Sequence, residues 1–167
     1  MRGDYLIFDF GLSKELKQKD LVHPPDGFEA TGLTGSRRYM APEVVKCKNY
    51  GFSSDVYSFA ILFWEVFSLR IPFDRMTLEE HFGKVVLKGR RPGRLNSLPK
   101  QLQFVMKECW SPDPAKRPRF KAICEQLRAE IALRGKNGQA TKSVYDRTAY
   151  LMKKSDASRA DSIKECC

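Results

Sequence analysis

The sequence predicts a mainly α-helical chain, and three stretches carry that prediction. Residues 53–68 form a nearly unbroken apolar run, through Val56, Phe59, Ala60, Ile61, Leu62, Phe63 and Trp64 to Val66 and Phe67. Leu102, Val105, Met106 and Cys109 recur at helical spacing, and Phe120, Ile123, Cys124, Leu127 and Ile131 do so again. Against these stands one short apolar run, Tyr5-Leu6-Ile7-Phe8, which follows the turn pair Gly3-Asp4 and reads as a buried strand leaving a hairpin.

Wound at 3.6 residues per turn, residues 53–68 leave almost no polar face. A helix of that kind is a membrane span or the axis of a globular core. A span takes about 20 apolar residues. This run is shorter, is interrupted by Glu65 and carries Asp55 at its head, so a core axis is expected and no transmembrane segment. Ser53 is suited to cap its amino terminus, and Asp55 reads at first as a first-turn acid favoured by the helix dipole. Thr77-Leu78-Glu79-Glu80 is a capping box opening a helix that Gly89 ends. Residues 90–94 form a loop, and Pro118 suits the start of the last helix. The apolar residues of these helices read as core and suggest no cofactor box.

With 167 residues the chain has room for one core and a tail. Hydrophobic residues at 42% and charged residues at 30% describe a soluble globular protein. A net charge of +10 raises the question of nucleic acid or an acidic membrane surface. The cations are dispersed, however: Lys14, Lys17 and Lys19, then Arg37 and Arg38, then residues 88–94, then the tail. No basic stripe is interleaved with stacking aromatics, so a solvated basic surface is expected and no nucleic-acid partner. Cys47, Cys109, Cys124, Cys166 and Cys167 show no metal-ligand spacing. Their odd count without a signal peptide points to a reducing compartment, the cytoplasm. Cys109 and Cys124 fall on apolar helix faces and read as core, while Cys166-Cys167 lack the four-residue prenylation box. Residues 135–167 are rich in Ser, Lys and Asp and read as a flexible tail. Asp146, Asp156, Asp161 and Glu165 partly balance its cations, which makes it a poor membrane anchor.

Asp9-Phe10-Gly11 follows the expected strand at once. Alone it is a weak motif, equally well an acidic turn with a glycine that permits positive φ. Residues 12–34 are charged, punctuated by His23-Pro24-Pro25-Asp26-Gly27, and have no sustained period, as a long surface segment would. Loops longer than about 12–15 residues in compact domains are functional or disordered. Gly35-Ser36-Arg37-Arg38-Tyr39-Met40-Ala41-Pro42-Glu43 closes the segment, and a short helical turn from Pro42 leads to the apolar helix. Asp9-Phe10-Gly11, Ala41-Pro42-Glu43, Asp55 and Arg117 inside Trp110-Ser111-Pro112-Asp113-Pro114-Ala115-Lys116-Arg117-Pro118 stand in the order and approximate spacing of a protein kinase. Each has a bland alternative, and four in register do not. The chain resembles the helical large lobe of the bilobal (α+β) eukaryotic-type protein-kinase fold, from just before the metal-binding loop to about Leu133. That gives a partial kinase domain over residues 1–134 and a tail over 135–167.

The resemblance implies a role for each motif residue. Asp9 falls on the carboxylate that holds the magnesium bridging the ATP phosphates, and a hard cation suits an oxygen ligand. Phe10 falls on the residue whose packing separates active from inactive states, and Gly11 lets the loop turn. Residues 12–35 become the activation loop, with Thr31 and Thr34 as phosphorylation candidates, since a phosphate can order a loop by pairing with Arg or Lys. Ser36 lies where serine/threonine kinases carry a threonine in the substrate-receiving loop. Tyr39 stands where tyrosine kinases favour tryptophan, and the proline characteristic of their loop is missing. Serine/threonine substrates are therefore implied, and the later helices look most like the tyrosine-kinase-like group of serine/threonine kinases. Glu43 and Arg117 match a buried ion pair that ties the activation segment to the helical core. Asp55 matches a carboxylate that accepts backbone hydrogen bonds from the catalytic loop. ATP and Mg²⁺ follow as cofactors, a protein as substrate and an upstream kinase as activator.

In family order the glycine-rich loop, the ATP lysine with its helix glutamate, and the catalytic loop with its base precede the Asp9-Phe10-Gly11 strand. The chain starts at Met1, so these parts, the amino-terminal lobe among them, are expected to be absent and the chain inactive alone. Asp55 is then expected to be a buried carboxylate short of its donors, and the apolar helix to be uncovered on one side. Two functions follow from this set: an ATP-dependent serine/threonine kinase present as a truncated domain, or a catalytically inactive kinase-like docking module.

Overall fold

The computed structural model describes residues 9–17, 21–23, 27–28 and 35–136. The strand expected at Tyr5 to Phe8, the candidates Thr31 and Thr34, and the tail with Cys166 and Cys167 lie outside the described residues. Among the described residues two short strands come first, β1 at Leu21–His23 and β2 at Gly27–Phe28, paired antiparallel with Leu21 opposite Phe28 and His23 opposite Gly27. They fall within a stretch expected to be loop throughout. With only 3 and 2 residues they are too short to display a period of two in sequence. Phe28 anchors them: it is buried, exchanges backbone hydrogen bonds with Tyr50 at 3.1 and 3.3 Å, and meets the edge of Phe52 at 6.0 Å.

Five α-helices follow among the described residues. α1 (Pro42–Val45) is short and wholly buried, with proline at its first turn, where its missing N–H costs nothing. α2 (Phe52–Ser68) is the 17-residue apolar helix. It starts one residue before the expected cap: Gly51 is its N-cap, with no side-chain cap bond. Ser53 is therefore inside the helix, and its carbonyl accepts from Arg117. α3 (Leu78–His81) opens with the expected capping box, Thr77 Oγ1 accepting from Glu80 N and Glu80 Oε2 from Thr77 N, both at 3.2 Å. It runs on as a π-helical segment, Phe82–Leu87, and ends at Gly89, whose φ of +69° suits a glycine just past a helix end. α4 spans Lys100–Cys109, a 3₁₀ turn spans Pro114–Lys116, and α5 spans Phe120–Lys136, starting two residues beyond Pro118.

The core lies between α2 and α4, with α1 against the π-helical segment and α5 against α4. Val56, Tyr57, Ala60, Ile61 and Trp64 of α2 are buried, as are Leu102, Val105, Met106 and Cys109 of α4. α2 is a core axis along one side only, in keeping with the expectation that it is uncovered on one side. Leu62 and Val66 are 52% and 44% exposed, because α4 and the 3₁₀ turn cover only one flank. On the next flank Phe59, Phe63 and Phe67 stack in sequence at 5.6 and 4.6 Å, and Phe120 meets Phe59 edge-on at 5.7 Å. α5 buries less than its spacing promised. Ile123 is in the core and Leu127 packs against it, but Cys124, Ile131 and Phe120 are exposed. A helix at the edge of a fold has one neighbour and buries one narrow stripe. Among the described residues no helix is long and apolar enough to cross a membrane.

Candidate functional site

The site is built around Arg117, which follows the 3₁₀ turn, and Glu43 in the first turn of α1. Both are buried, at 6% and 8% exposure. Arg117 Nη1 donates to Glu43 Oε1 at 2.5 Å and Nη2 to Oε2 at 2.9 Å, a two-pronged pair across 74 residues of chain. The rest of the guanidinium is also engaged: Nη1 donates to the Ser53 carbonyl and Nε to the Ser111 carbonyl, each at 2.9 Å. A buried guanidinium with a bidentate carboxylate and two carbonyls satisfies the condition for keeping charge inside a protein. One residue thus joins α1, the start of α2 and the turn before α5.

Tyr57 extends the knot. Its ring lies 5.2 Å from the Arg117 guanidinium and 5.0 Å from that of Arg91, within cation–π range. Burial raises the Tyr57 pKa, with the two arginines opposing that rise, and burial lowers that of Arg91. Arg91 also holds the loop after the π-helical segment, Nε donating to the Trp110 carbonyl at 2.9 Å and Nη1 to the Val85 carbonyl at 3.3 Å.

The segment leading into α1 is a tight turn, with Tyr39 N donating to the Ser36 carbonyl at 3.1 Å and Met40 N to the Arg37 carbonyl at 3.2 Å. Ser36 is exposed and Tyr39 half-buried. α2 holds the turn twice. Tyr39 Oη donates to Glu65 Oε2 at 2.5 Å, and Ser58 Oγ donates to the Tyr39 carbonyl at 2.8 Å. Burial, then the hydrogen bond and charge of Glu65, push the Tyr39 phenol up to about 12. His81 is buried edge-on against Phe73 at 5.2 Å, and burial with Arg37, Arg38 and Arg91 pushes its pKa down.

Asp9 and Phe10 are exposed. Asp9 sits at φ 63°, which a short polar side chain tolerates by bonding locally, and its Oδ1 accepts from Gly11 N at 3.3 Å. Leu12 and Gly35 adjoin: a Cβ at Gly35, whose φ is +99°, would stand 3.7 Å from Leu12 Cδ1. The two ends of the 12–35 segment therefore meet. Asp55 is exposed, so the burial penalty expected for its carboxylate does not arise. The structure thus brings Glu43 to Arg117 and anchors the 36–39 turn on α2. The contacts of Tyr39 with Glu65 and of Tyr57 with Arg91 and Arg117 were missed in the sequence. Glu65 carried a signal, being a lone carboxylate inside an apolar run, which needs a donor if it is to be buried.

Asp9 suits Mg²⁺ chemically, since its exposed carboxylate is a hard oxygen donor and Mg²⁺ in nucleotide sites takes one or two carboxylates besides phosphate and water. Among the described residues no group of three or more His, Cys, Asp and Glu could hold a metal by itself.

The family model for protein tyrosine and serine/threonine kinases matches residues 4–127. Among the most similar curated relatives is serine/threonine-protein kinase STY17 of Arabidopsis thaliana, 34% identical over 72% of this chain and 20% of its own length. The megakaryocyte-associated tyrosine-protein kinase of Mus musculus is 36% identical over 75% of this chain and 23% of its own. Dual specificity protein kinase shkC of Dictyostelium discoideum is 38% identical over 72% of this chain and 23% of its own. The chain belongs to the eukaryotic-type protein kinase family, and its helices are those of the kinase helical lobe. It spans about a fifth of the length of these relatives.

Proposed function

We propose that the chain is part of a protein serine/threonine kinase, which transfers the γ-phosphate of ATP to protein hydroxyls. The observation that carries this reading is the anchoring of the 36–39 turn, by Tyr39 on Glu65 and by Glu43 on Arg117. Phosphoryl transfer asks a protein for positioning and charge stabilisation more than for covalent chemistry. A rigidly held turn beside an exposed serine supplies the first of these for a protein substrate. Ser36, where serine/threonine kinases carry a threonine, and Tyr39, where tyrosine kinases favour tryptophan, favour aliphatic hydroxyls.

In this reading Asp9 is a ligand of the Mg²⁺ bound with ATP, and Phe10 and Gly11 set the state of the loop that carries it. Thr31 or Thr34 receives an activating phosphate from an upstream kinase, and Asp55 has an architectural role. The kinase domain reaches residue 134, with 135–167 as an appendage. A cytoplasmic location belongs to the same reading, supported by the free thiols of Cys47, Cys109 and Cys124.

The test uses the protein at its native length, purified from its source, with Mg-ATP and a peptide library presenting serine, threonine and tyrosine. Phosphate is expected on serine and threonine only. D9N is expected to lower transfer at least about a hundredfold, in line with loss of electrostatic stabilisation of the transferring group. Tyrosine phosphorylation would overturn the assigned specificity, and an inactive protein would favour the docking-module function instead.

A further inference from the structure

One face of α4 and the loop before it enclose a groove of about 610 Å³ that phosphoryl transfer does not use. The α4 sequence explains its chemistry. Leu102, Val105, Met106 and Cys109 turn one side of the helix into the core. Lys100, Phe104 and Lys107 stand at i, i+4 and i+7, one stripe of the outer side. Phe104 is 52% exposed, a large apolar surface between two lysines. Arg94 joins them from the loop, and buried Met106 and Trp110 form the floor. Among the described residues three cations line the groove and no carboxylate does. Among the described residues none of the three enters an ion pair.

A solvated helix face explains lysines, but it explains neither an exposed phenylalanine centred between them nor the missing carboxylates. Charge complementarity selects the occupant. A second copy of the chain carries +10 and is a poor match for a groove lined by cations. Residues 137–167 hold more Lys and Arg than Asp and Glu, so the chain's own tail is a poor match too. We propose that this groove docks an acidic segment of a partner protein. Carboxylates of the segment lie on Arg94, Lys100 and Lys107, and an apolar side chain packs on Phe104. The aromatic gives a desolvated anchor, and the cations around it steer the approach and fix the register.

The test titrates the full 167-residue chain into a fluorescein-labelled peptide, Glu-Asp-Glu-Phe-Glu-Asp-Glu, and reads anisotropy. Saturable micromolar binding is expected, weakened about tenfold or more by K100E/K107E and by F104A, and weakened by added salt. All three positions are exposed, so circular dichroism of the variants should match the parent. If the double variant does not fold, R94E reads the same site. Binding indifferent to these substitutions would overturn the proposal, as would equal binding of the peptide with serine in place of phenylalanine. No binding up to millimolar peptide would also overturn it. Tighter binding to phosphatidylserine vesicles or to a single-stranded oligonucleotide would replace it with a surface for those partners.

Discussion

Tyr39 shows how one hydroxyl can hold a functional turn. Its phenol is pushed up to about 12 by burial and Glu65, against about 10 in an unfolded chain. A raised value means that the folded state favours the protonated phenol. The associated stability is complete below about pH 10 and is lost as pH rises through the folded value. Ultraviolet titration of the parent against Y39F should therefore show one late-ionising phenol fewer in the variant, while buried Tyr57 still ionises late in both. Y39F also leaves a half-buried carboxylate without its donor and should cost about 1–3 kcal/mol in urea unfolding. Cys109 gives a second check at this scale. Burial pushes its thiol up to about 12, while Cys47 and Cys124 are exposed. Alkylation of the native protein followed by peptide mapping should label Cys47 and Cys124 and spare Cys109 until denaturant is added. The apolar spacing of Cys109 and Cys124 looked alike in sequence. What separates them is the neighbour: α4 faces α2, whereas the Cys124 side of α5 faces water.

At the level of elements, the capping box of α3 was legible because its signal is local, four consecutive residues whose bonds close on themselves. T77A should lower stability by about 1 kcal/mol, read as a drop in melting temperature. The start of α2 was less legible. Ser53 suits a cap, yet it lies inside the helix with its carbonyl taken by Arg117, and Ser54 Oγ donates to the Gly51 carbonyl at 2.7 Å. A partner 64 residues away decides the matter, and no local pattern contains it. That one side of α2 is bare was expected, but which residues form that side has the same cause. Apolarity tells that a helix wants cover, and the neighbours tell how much it gets. Leu62 and Val66 form the uncovered strip, so the chain should self-associate with rising concentration in analytical ultracentrifugation, and L62E/V66E should suppress it.

For the whole molecule, the Glu43–Arg117 pair is the tie between the 36–43 segment and the helices. It was legible in sequence only through the register of motifs far apart along the chain. The companion contacts of Tyr57 with Arg91 and Arg117 belong to no motif and could not be seen there. Removing one member of a buried pair costs about 3–5 kcal/mol because the other charge is stranded, a large share of the roughly 5–15 kcal/mol that holds a domain together. A double-mutant cycle of urea unfolding with E43Q, R117K and the double variant asks most directly whether this tie organises the lobe. Each single change should destabilise strongly, since lysine cannot reproduce the two-pronged fork. The double should cost about 2–3 kcal/mol less than the sum of the singles. Single effects that add to within about 0.5 kcal/mol would contradict the tie, and the 36–39 turn would then need another anchor.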